Sequence, residues 1–333
     1  MLHEARYYET RSSGVLCRLC PHFCRLQDGE TGRCGVRREV AGKLYSLNYG
    51  RCAAMALDPI EKKPLFHFYP GRQIFSIGTS GCNLDCGFCQ NWQLVRGDPE
   101  AAKYLTPAEV VELALAYGDP EPFGIAYTYA EPGMWFEFVL ETARLAKASG
   151  LKNVLVTNGF LNQEPLRELL PVIDAFNIDV KAFQDGYYRR HCAGRLLPVL
   201  RYVETAAASA HVELTYLVVP GLNDSEEEVA RFADWVASLN PAIPVHLTRY
   251  FPQHRFTLPP TPVAVMEKLQ LAARQKLDYV YLGNVPSHWG NNTFCPGCGG
   301  LLIERRGYTV KSGAKRGACP HCGRQAAIIG LQN

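Results

Sequence analysis

The sequence predicts an α/β fold: a partial (β/α)6-type barrel with a Cys-rich N-terminal module and a C-terminal zinc-ribbon-like module. Three observations predict it. Apolar strand-like runs alternate with amphipathic helical patterns through the middle of the chain, as parallel βαβ units do. Cys82, Cys86 and Cys89 follow directly on the first of those runs. Four more cysteines stand near each end of the chain. The expected boundaries are residues 1–70 for the first module, 71–290 for the barrel and 291–333 for the last.

The elements follow in order. QIFSIGTSG, Gln73 to Gly81, reads as a buried strand that ends in a Gly-rich turn. Further strands are expected near Ile125–Tyr129, Asn153–Thr157, Phe176–Val180, Val212–Val219, Val245–Thr248 and Tyr279–Leu282. Between the first two lies TPAEVVELALAYG, with Thr106 as N-cap, Pro107 at the first position and Glu109 at the third. That is a capping box, and Gly118 is the expected stop. FEFVLETARLAKASG stops in the same way at Gly150. SEEEVARFADWVASLN opens on Ser225, places acids in its first turn and carries an apolar stripe at Val229, Phe232, Val236 and Leu239. PVAVMEKLQLAARQK precedes the last strand. Six or seven such units favour a barrel over an open doubly wound sheet. A barrel of this kind collects its chemistry at the C-terminal ends of its strands.

The chain has 333 residues, of which 47% are apolar and 20% charged. That is ordinary globular usage and excludes a disordered or fibrous chain. No run approaches the 18 or so apolar residues of a membrane span. The first residues lack the apolar core of a secretory signal, so a cytoplasmic location is expected. A net charge of +3 excludes a globally basic nucleic-acid binder. Charge is uneven, however. Residues 1–51 carry nine Lys/Arg against five acids, and residues 295–333 carry six against one.

The 13 cysteines are the unusual count. In a reducing compartment they argue for metal or redox chemistry rather than disulfides. Cys17, Cys20, Cys24 and Cys34 form one group, and Cys295, Cys298, Cys319 and Cys322 another. Cys82, Cys86 and Cys89 form a group of three. Three thiolates hold three irons of a [4Fe–4S] cubane and leave the fourth open, whereas structural sites are closed.

Cys82-x3-Cys86-x2-Cys89, with Phe88 before the last cysteine, resembles the signature of radical S-adenosylmethionine (SAM) enzymes. GTSGCNLDCGFCQNW, AYTYAEP, NVLVTNGF, NIDVKAF, VVPGLNDSEEEV, HLTRYFP, YLGNV and FCPGCGGLLIERRGY narrow the resemblance. They look like the AmmeMemoRadiSam-system radical SAM enzymes, relatives of the pyruvate formate-lyase-activating enzymes. The N-terminal CRLCPHFC is also similar to that family. The resemblance implies a [4Fe–4S] cluster on Cys82, Cys86 and Cys89 that chelates SAM. Reductive cleavage would give a 5′-deoxyadenosyl radical that takes a hydrogen atom from a substrate. It also implies a reductant protein, flavodoxin or ferredoxin, and an association with Memo-like and AmmeCR-like proteins. The substrate is left open: a protein glycine, a nucleic-acid base or a small molecule.

The same resemblance assigns SAM contacts. The SAM amino group would meet Glu131 or the backbone carbonyls of Thr128, Tyr129 and Ala130. Asn158 would hold the ribose, and Asp179 and Lys181 would face the SAM carboxylate and sulfonium. Glu213, His246 and Arg249 are expected at the same barrel mouth. For each of these, a hydrogen bond or ion pair that only closes the barrel is the plainer alternative.

Cys-x2-Cys-x20-Cys-x2-Cys at Cys295 to Cys322 is a zinc-ribbon spacing, with strands expected at Leu301–Arg305 and Ala326–Gly330. Its basic residues permit nucleic-acid contact, a reading less favoured than a solvated face. The N-terminal Cys17, Cys20, Cys24 and Cys34 suit zinc or an auxiliary Fe–S cluster by count. His22 lies inside that loop. Cys52 and Cys192 have no partner at ligand spacing and read as small buried hydrophobes.

Overall fold

A computed structural model describes residues 2–117, 123–286, 290–314 and 317–331. Its centre is an eight-stranded sheet. The strands are β1 (Ala54–Pro59), β2 (Gln73–Gly78), β3 (Gly124–Tyr127), β4 (Lys152–Thr157), β5 (Ala175–Asp179), β6 (His211–Val218), β7 (Val245–Arg249) and β8 (Val280–Gly283). Their spatial order is their chain order, and β2 to β8 are all parallel. Only β1 runs antiparallel, against β2. An order that never reverses is that of a singly wound barrel, so the expected part-barrel is the observed architecture. β1 lies inside the segment expected to be the N-terminal module, so the central sheet starts earlier than its first apolar run.

Six helices make the crossovers: α1 (Pro107–Ala116), α2 (Phe136–Ala148), α3 (Gln163–Leu169), α4 (Leu196–Ala207), α5 (Glu226–Leu239) and α6 (Val263–Arg274). They bury one apolar face each. On α5 this face is Val229, Phe232, Ala233 and Val236. The capping box on α1 is complete: Thr106 Oγ1 accepts from Glu109 N, and the Glu109 carboxylate accepts from Thr106 N at 2.7 Å. Thr106→Ala will therefore lower stability by about 1 kcal/mol, read as a shift of the urea midpoint. Gly118, the expected stop of α1, lies outside the described residues.

The N-terminal residues form two small antiparallel sheets. One joins Tyr8–Arg11, Gly14–Cys17 and Arg25–Leu26; the other joins His3–Glu4, Lys43–Ser46 and Arg37–Val40. At the other end, Thr293–Phe294, Leu301–Arg306 and Thr309–Ser312 make a three-stranded antiparallel sheet. The expected strand at Ala326–Gly330 is not formed. Ile329 instead bridges to Phe68, and its backbone bonds His67 and Tyr69. Thr309–Ser312 takes the place in the hairpin because Gly307, at φ +60°, turns the chain straight back. No described helix is long and apolar enough to cross a membrane.

The segment 64–68 closes the barrel at the N-terminal ends of its strands. Phe66 N and His67 N donate to the two Glu213 carboxylate oxygens at 2.9 and 2.7 Å. Asn177 Nδ2 donates to Pro64 O. Arg305, 1% exposed, reaches in from the C-terminal hairpin and donates to Phe66 O at 2.7 Å.

A candidate iron–sulfur and SAM site at the barrel mouth

β2 ends at Gly78, and the chain turns through Gly81 into the cysteine loop. Gly81 has φ +98°, and a Cβ there would meet Val36 at 2.6 Å, so only glycine lets the loop pack on the N-terminal module. Cys82 N donates to Cys34 O at 3.3 Å. Asp85 N and Gly87 N donate to the carbonyls of Cys192 and His191. Those carbonyls belong to a one-turn π-helix, Tyr188–Cys192, that ends at Ala193 in the left-handed region. The loop is thus held by backbone bonds from two sides.

Cys82, Cys86 and Cys89 are half-buried residues, and burial raises the thiols of Cys82 and Cys89 above their ordinary value. Cys86 is raised as well, first through a hydrogen bond with the Cys192 thiol and then by burial. Metal uptake must therefore release protons. Cys192 is fully buried, as expected, yet it is more than a packing residue because its thiol lies on Cys86. Nothing in the linear spacing signals that contact. Three thiolates from one loop form the right donor set for an open cubane, and the residues fit that group.

The strand ends beside the loop carry most of the expected residues, although several have duties other than those expected. Asn158 Nδ2 donates to Cys82 Sγ at 3.5 Å and to Asn83 Oδ1 at 3.0 Å, while its Oδ1 accepts from Phe160 N. Both ends of that amide are engaged within the protein, and Asn158 holds the Cys82 side chain in place. Asn158→Ala will lower the iron content after reconstitution by an amount measurable against inorganic sulfide, without changing the circular-dichroism spectrum. Such outer partners typically tune metal affinity about 10- to 100-fold.

Glu131 is engaged within the protein as well. It is 3% exposed and accepts from Thr157 Oγ1, Asn158 N and Gly133 N at 2.7–2.9 Å. Burial raises its carboxyl above the usual range against those donors. It clamps the ends of β3 and β4 together, while in the backbone of the same segment Ala130 N donates to Thr128 O at 2.9 Å. Tyr129 sits at φ +69°, its carbonyl accepts from Asn91 Nδ2, and its hydroxyl donates to Asp58.

Asp179 and Lys181 do pair, at 2.5 Å, and remain partly exposed. Burial alone would lower the Lys181 ammonium, but Asp179 and the nearby Cys86 hold it above its ordinary value. This ion pair faces the cysteine loop. Arg249 ends β7 level with Val218, its Nε donating to Thr261 O at 2.6 Å. Thr79 Oγ1 and Ser80 Oγ, directly before the loop, are buried without a partner, which suits a site built for a bound polar molecule.

Glu213 and His246 are not at this mouth. Glu213 pairs in register with Asn177, two residues before Asp179, and His246 pairs with Thr215. Both are buried at the closed end, where His246 Nε2 donates to Glu213 at 2.7 Å and His211 Nε2 at 3.0 Å. Their polar character on an inward strand face reflects the plug at residues 64–68, which a strand pattern alone does not display.

The C-terminal sulfurs form a separate closed site. Cys295–Cys322 and Cys298–Cys319 are each 3.6 Å apart, and all four lie within 4.8 Å of one another. A zinc tetrahedron with Zn–S near 2.3 Å needs about 3.8 Å between sulfurs, so the four residues fit one tetrahedral metal ion. Arg324 of this module pairs with Asp278, just before β8. The module therefore sits at the closed end, opposite the cysteine loop.

Comparisons with known proteins agree with this geometry. The family model described as the radical SAM superfamily matches residues 76–233. An uncharacterized protein of Methanocaldococcus jannaschii is 40% identical over 338 residues, covering 98% of this chain and all of that one. The pyruvate formate-lyase 1-activating enzyme of Escherichia coli K12 is 25% identical over 192 residues, covering 54% of this chain and 75% of that enzyme. The crystal structure of Streptococcus suis SuiB bound to S-adenosylmethionine superposes with a TM-score of 0.51 at 11% identity, covering 66% of this chain and 50% of that one, a likeness of fold.

Proposed function

The chain belongs to the radical SAM superfamily, and on that premise we propose that it generates a 5′-deoxyadenosyl radical and abstracts a hydrogen atom from a substrate bound at the open barrel mouth. The observation that carries this reading is the three-thiol loop Cys82, Cys86 and Cys89 beside the Asp179–Lys181 pair. When bound, the [4Fe–4S] cluster and SAM supply one-electron cleavage of the sulfonium. The protein's part is positioning. Cys82, Cys86 and Cys89 hold the cluster. The Thr128–Ala130 backbone would take the SAM amino group, and Lys181 and Arg249 would take its carboxylate. Asp179 orients Lys181. The segment 64–68, bonded to Glu213 and Asn177, would exclude water from the closed end of the barrel.

The substrate class most in keeping with the activating-enzyme likeness is a protein glycine. A nucleic-acid substrate presented by the C-terminal module has less support, because that module stands at the opposite end from the cysteine loop. A flavodoxin- or ferredoxin-type reductant belongs to the same proposal, as do the AmmeMemoRadiSam assignment with its Memo-like and AmmeCR-like partners and zinc at the C-terminal site. The test is anaerobic reconstitution with iron and sulfide, addition of dithionite and SAM, and chromatography for 5′-deoxyadenosine. Formation of that nucleoside is the expected result, and its absence from protein with a full cluster would overturn the reading.

A further inference from the structure

The N-terminal cysteines differ from the C-terminal ones in how they meet. Cys17, Cys20, Cys24 and Cys34 wall a small enclosed cavity together with Arg37 and Met134. Among the described residues, the C-terminal set is the group of ligand atoms that closes within 4.8 Å. The N-terminal sulfurs ring their cavity without closing to that separation. A single zinc ion draws four thiolates to about 3.8 Å. A cubane holds them roughly 6 Å apart, because each thiolate sits on a different corner.

A second observation points to a ligand in that cavity. Arg37 is 1% exposed and lines the wall. Its Nη2 pairs with Glu137 and its Nη1 donates to Arg6 O at 2.8 Å, but its buried Nε has no partner. A buried donor left open is costly unless something accepts from it. Bridging sulfides of a cluster are acceptors, whereas a zinc ion enclosed by four thiolates adds none beyond the sulfurs themselves.

The cavity also adjoins the barrel mouth. Cys34 O accepts from Cys82 N, so one hydrogen bond joins a ligand of one site to a ligand of the other. His22, inside the N-terminal loop, has its Nε2 2.7 Å from Asn83 O, the residue after Cys82. The through-bond path from Cys34 Sγ to Cys82 Sγ crosses no other residue.

We propose that Cys17, Cys20, Cys24 and Cys34 hold a second [4Fe–4S] cluster that relays electrons to the cluster at Cys82, Cys86 and Cys89. The relay rests on the radical SAM reading above. Each transfer moves one electron: the N-terminal cluster is oxidised from its 1+ to its 2+ state and the other is reduced from 2+ to 1+. A reductant of the flavodoxin or ferredoxin class, or dithionite in vitro, restores the first.

Two experiments test this. The variant Cys82→Ala/Cys86→Ala/Cys89→Ala, reconstituted anaerobically, keeps the N-terminal site alone for sulfide. It should hold about four acid-labile sulfides per chain and give, on reduction, a [4Fe–4S]1+ electron paramagnetic resonance signal that SAM does not alter. Because the C-terminal four-cysteine site accounts for one metal ion, two zinc ions per chain and no sulfide in this variant would overturn the cluster. Wild-type protein, fully reduced and then freed of reductant, should convert about two SAM per chain with both cluster signals lost. Conversion of one, with the SAM-insensitive signal still present, would overturn the relay. If wild type makes no 5′-deoxyadenosine, the radical SAM reading fails and the relay with it, while the sulfide count still decides the N-terminal cluster.

Discussion

Reconstituted protein in which Cys82, Cys86 and Cys89 are all alanine will form no measurable 5′-deoxyadenosine from SAM and dithionite, a fall of at least about a thousandfold, or about 4 kcal/mol in barrier terms. The fold should survive, because three backbone bonds that the substitutions leave in place hold the loop: Cys82 N to Cys34 O, Asp85 N to Cys192 O and Gly87 N to His191 O. Unchanged circular dichroism and an unchanged C-terminal metal content will separate loss of chemistry from loss of structure. Activity retained at even a tenth of wild type would mean that the radical does not arise at these thiols.

The second large effect lies at the other end of the barrel. Glu213→Gln will destabilise the protein by about 3 kcal/mol at neutral pH, the cost of removing one partner from a buried charged network. Glu213 is 0% exposed and accepts from Phe66 N, His67 N, His211 and His246. An amide offers one oxygen where the carboxylate offered two, and turns its own donor toward one of those N–H groups. The pH dependence has a definite sign. Burial opposes the Glu213 charge, but the hydrogen bonds from His211 and His246 outweigh it and hold the carboxyl well below the usual range. That stabilisation is present above the unfolded value near 4.3 and is lost as pH falls through the lower folded value. His67 acts in the same direction, since burial lowers it to about 3 and it must gain a proton on unfolding in mild acid. Wild type will therefore lose stability progressively below about pH 6.5, and the gap between wild type and Glu213→Gln will narrow below about pH 4. Urea midpoints across that range measure both. A gap that stays constant would mean that the carboxylate charge is not what the network uses.

The sequence displayed the barrel well because its evidence is local. Each strand is a short apolar run, each helix opens on a cap such as Thr106 or Ser225, and a chain of such units winds one way. The cysteine loop was equally plain, since ligand spacing within nine residues is set by the loop itself. What stayed hidden depends on distant partners. Glu213 and His246 resemble mouth residues until Phe66 and His67, nearly 150 positions earlier in sequence, are brought beneath them. The contact of the Asn158 amide with Cys82 is likewise invisible in the linear pattern, because the two lie 76 positions apart. Ala326–Gly330 has the apolar content of a strand, but Ile329 is recruited by Phe68 and spends its backbone bonds there.

That last recruitment bears on how the gene can be cut and recombined. Residues 64–69 are stitched to the far end of the polypeptide by Arg305 to Phe66 O, Ile329 N to His67 O and Tyr69 N to Ile329 O. A C-terminal truncation made to isolate the catalytic barrel would therefore uncork it, stranding the Phe66 carbonyl and exposing Tyr281. Chimeras between relatives should succeed when the 64–69 segment and residues 291–331 are exchanged together, and should express poorly when either travels alone.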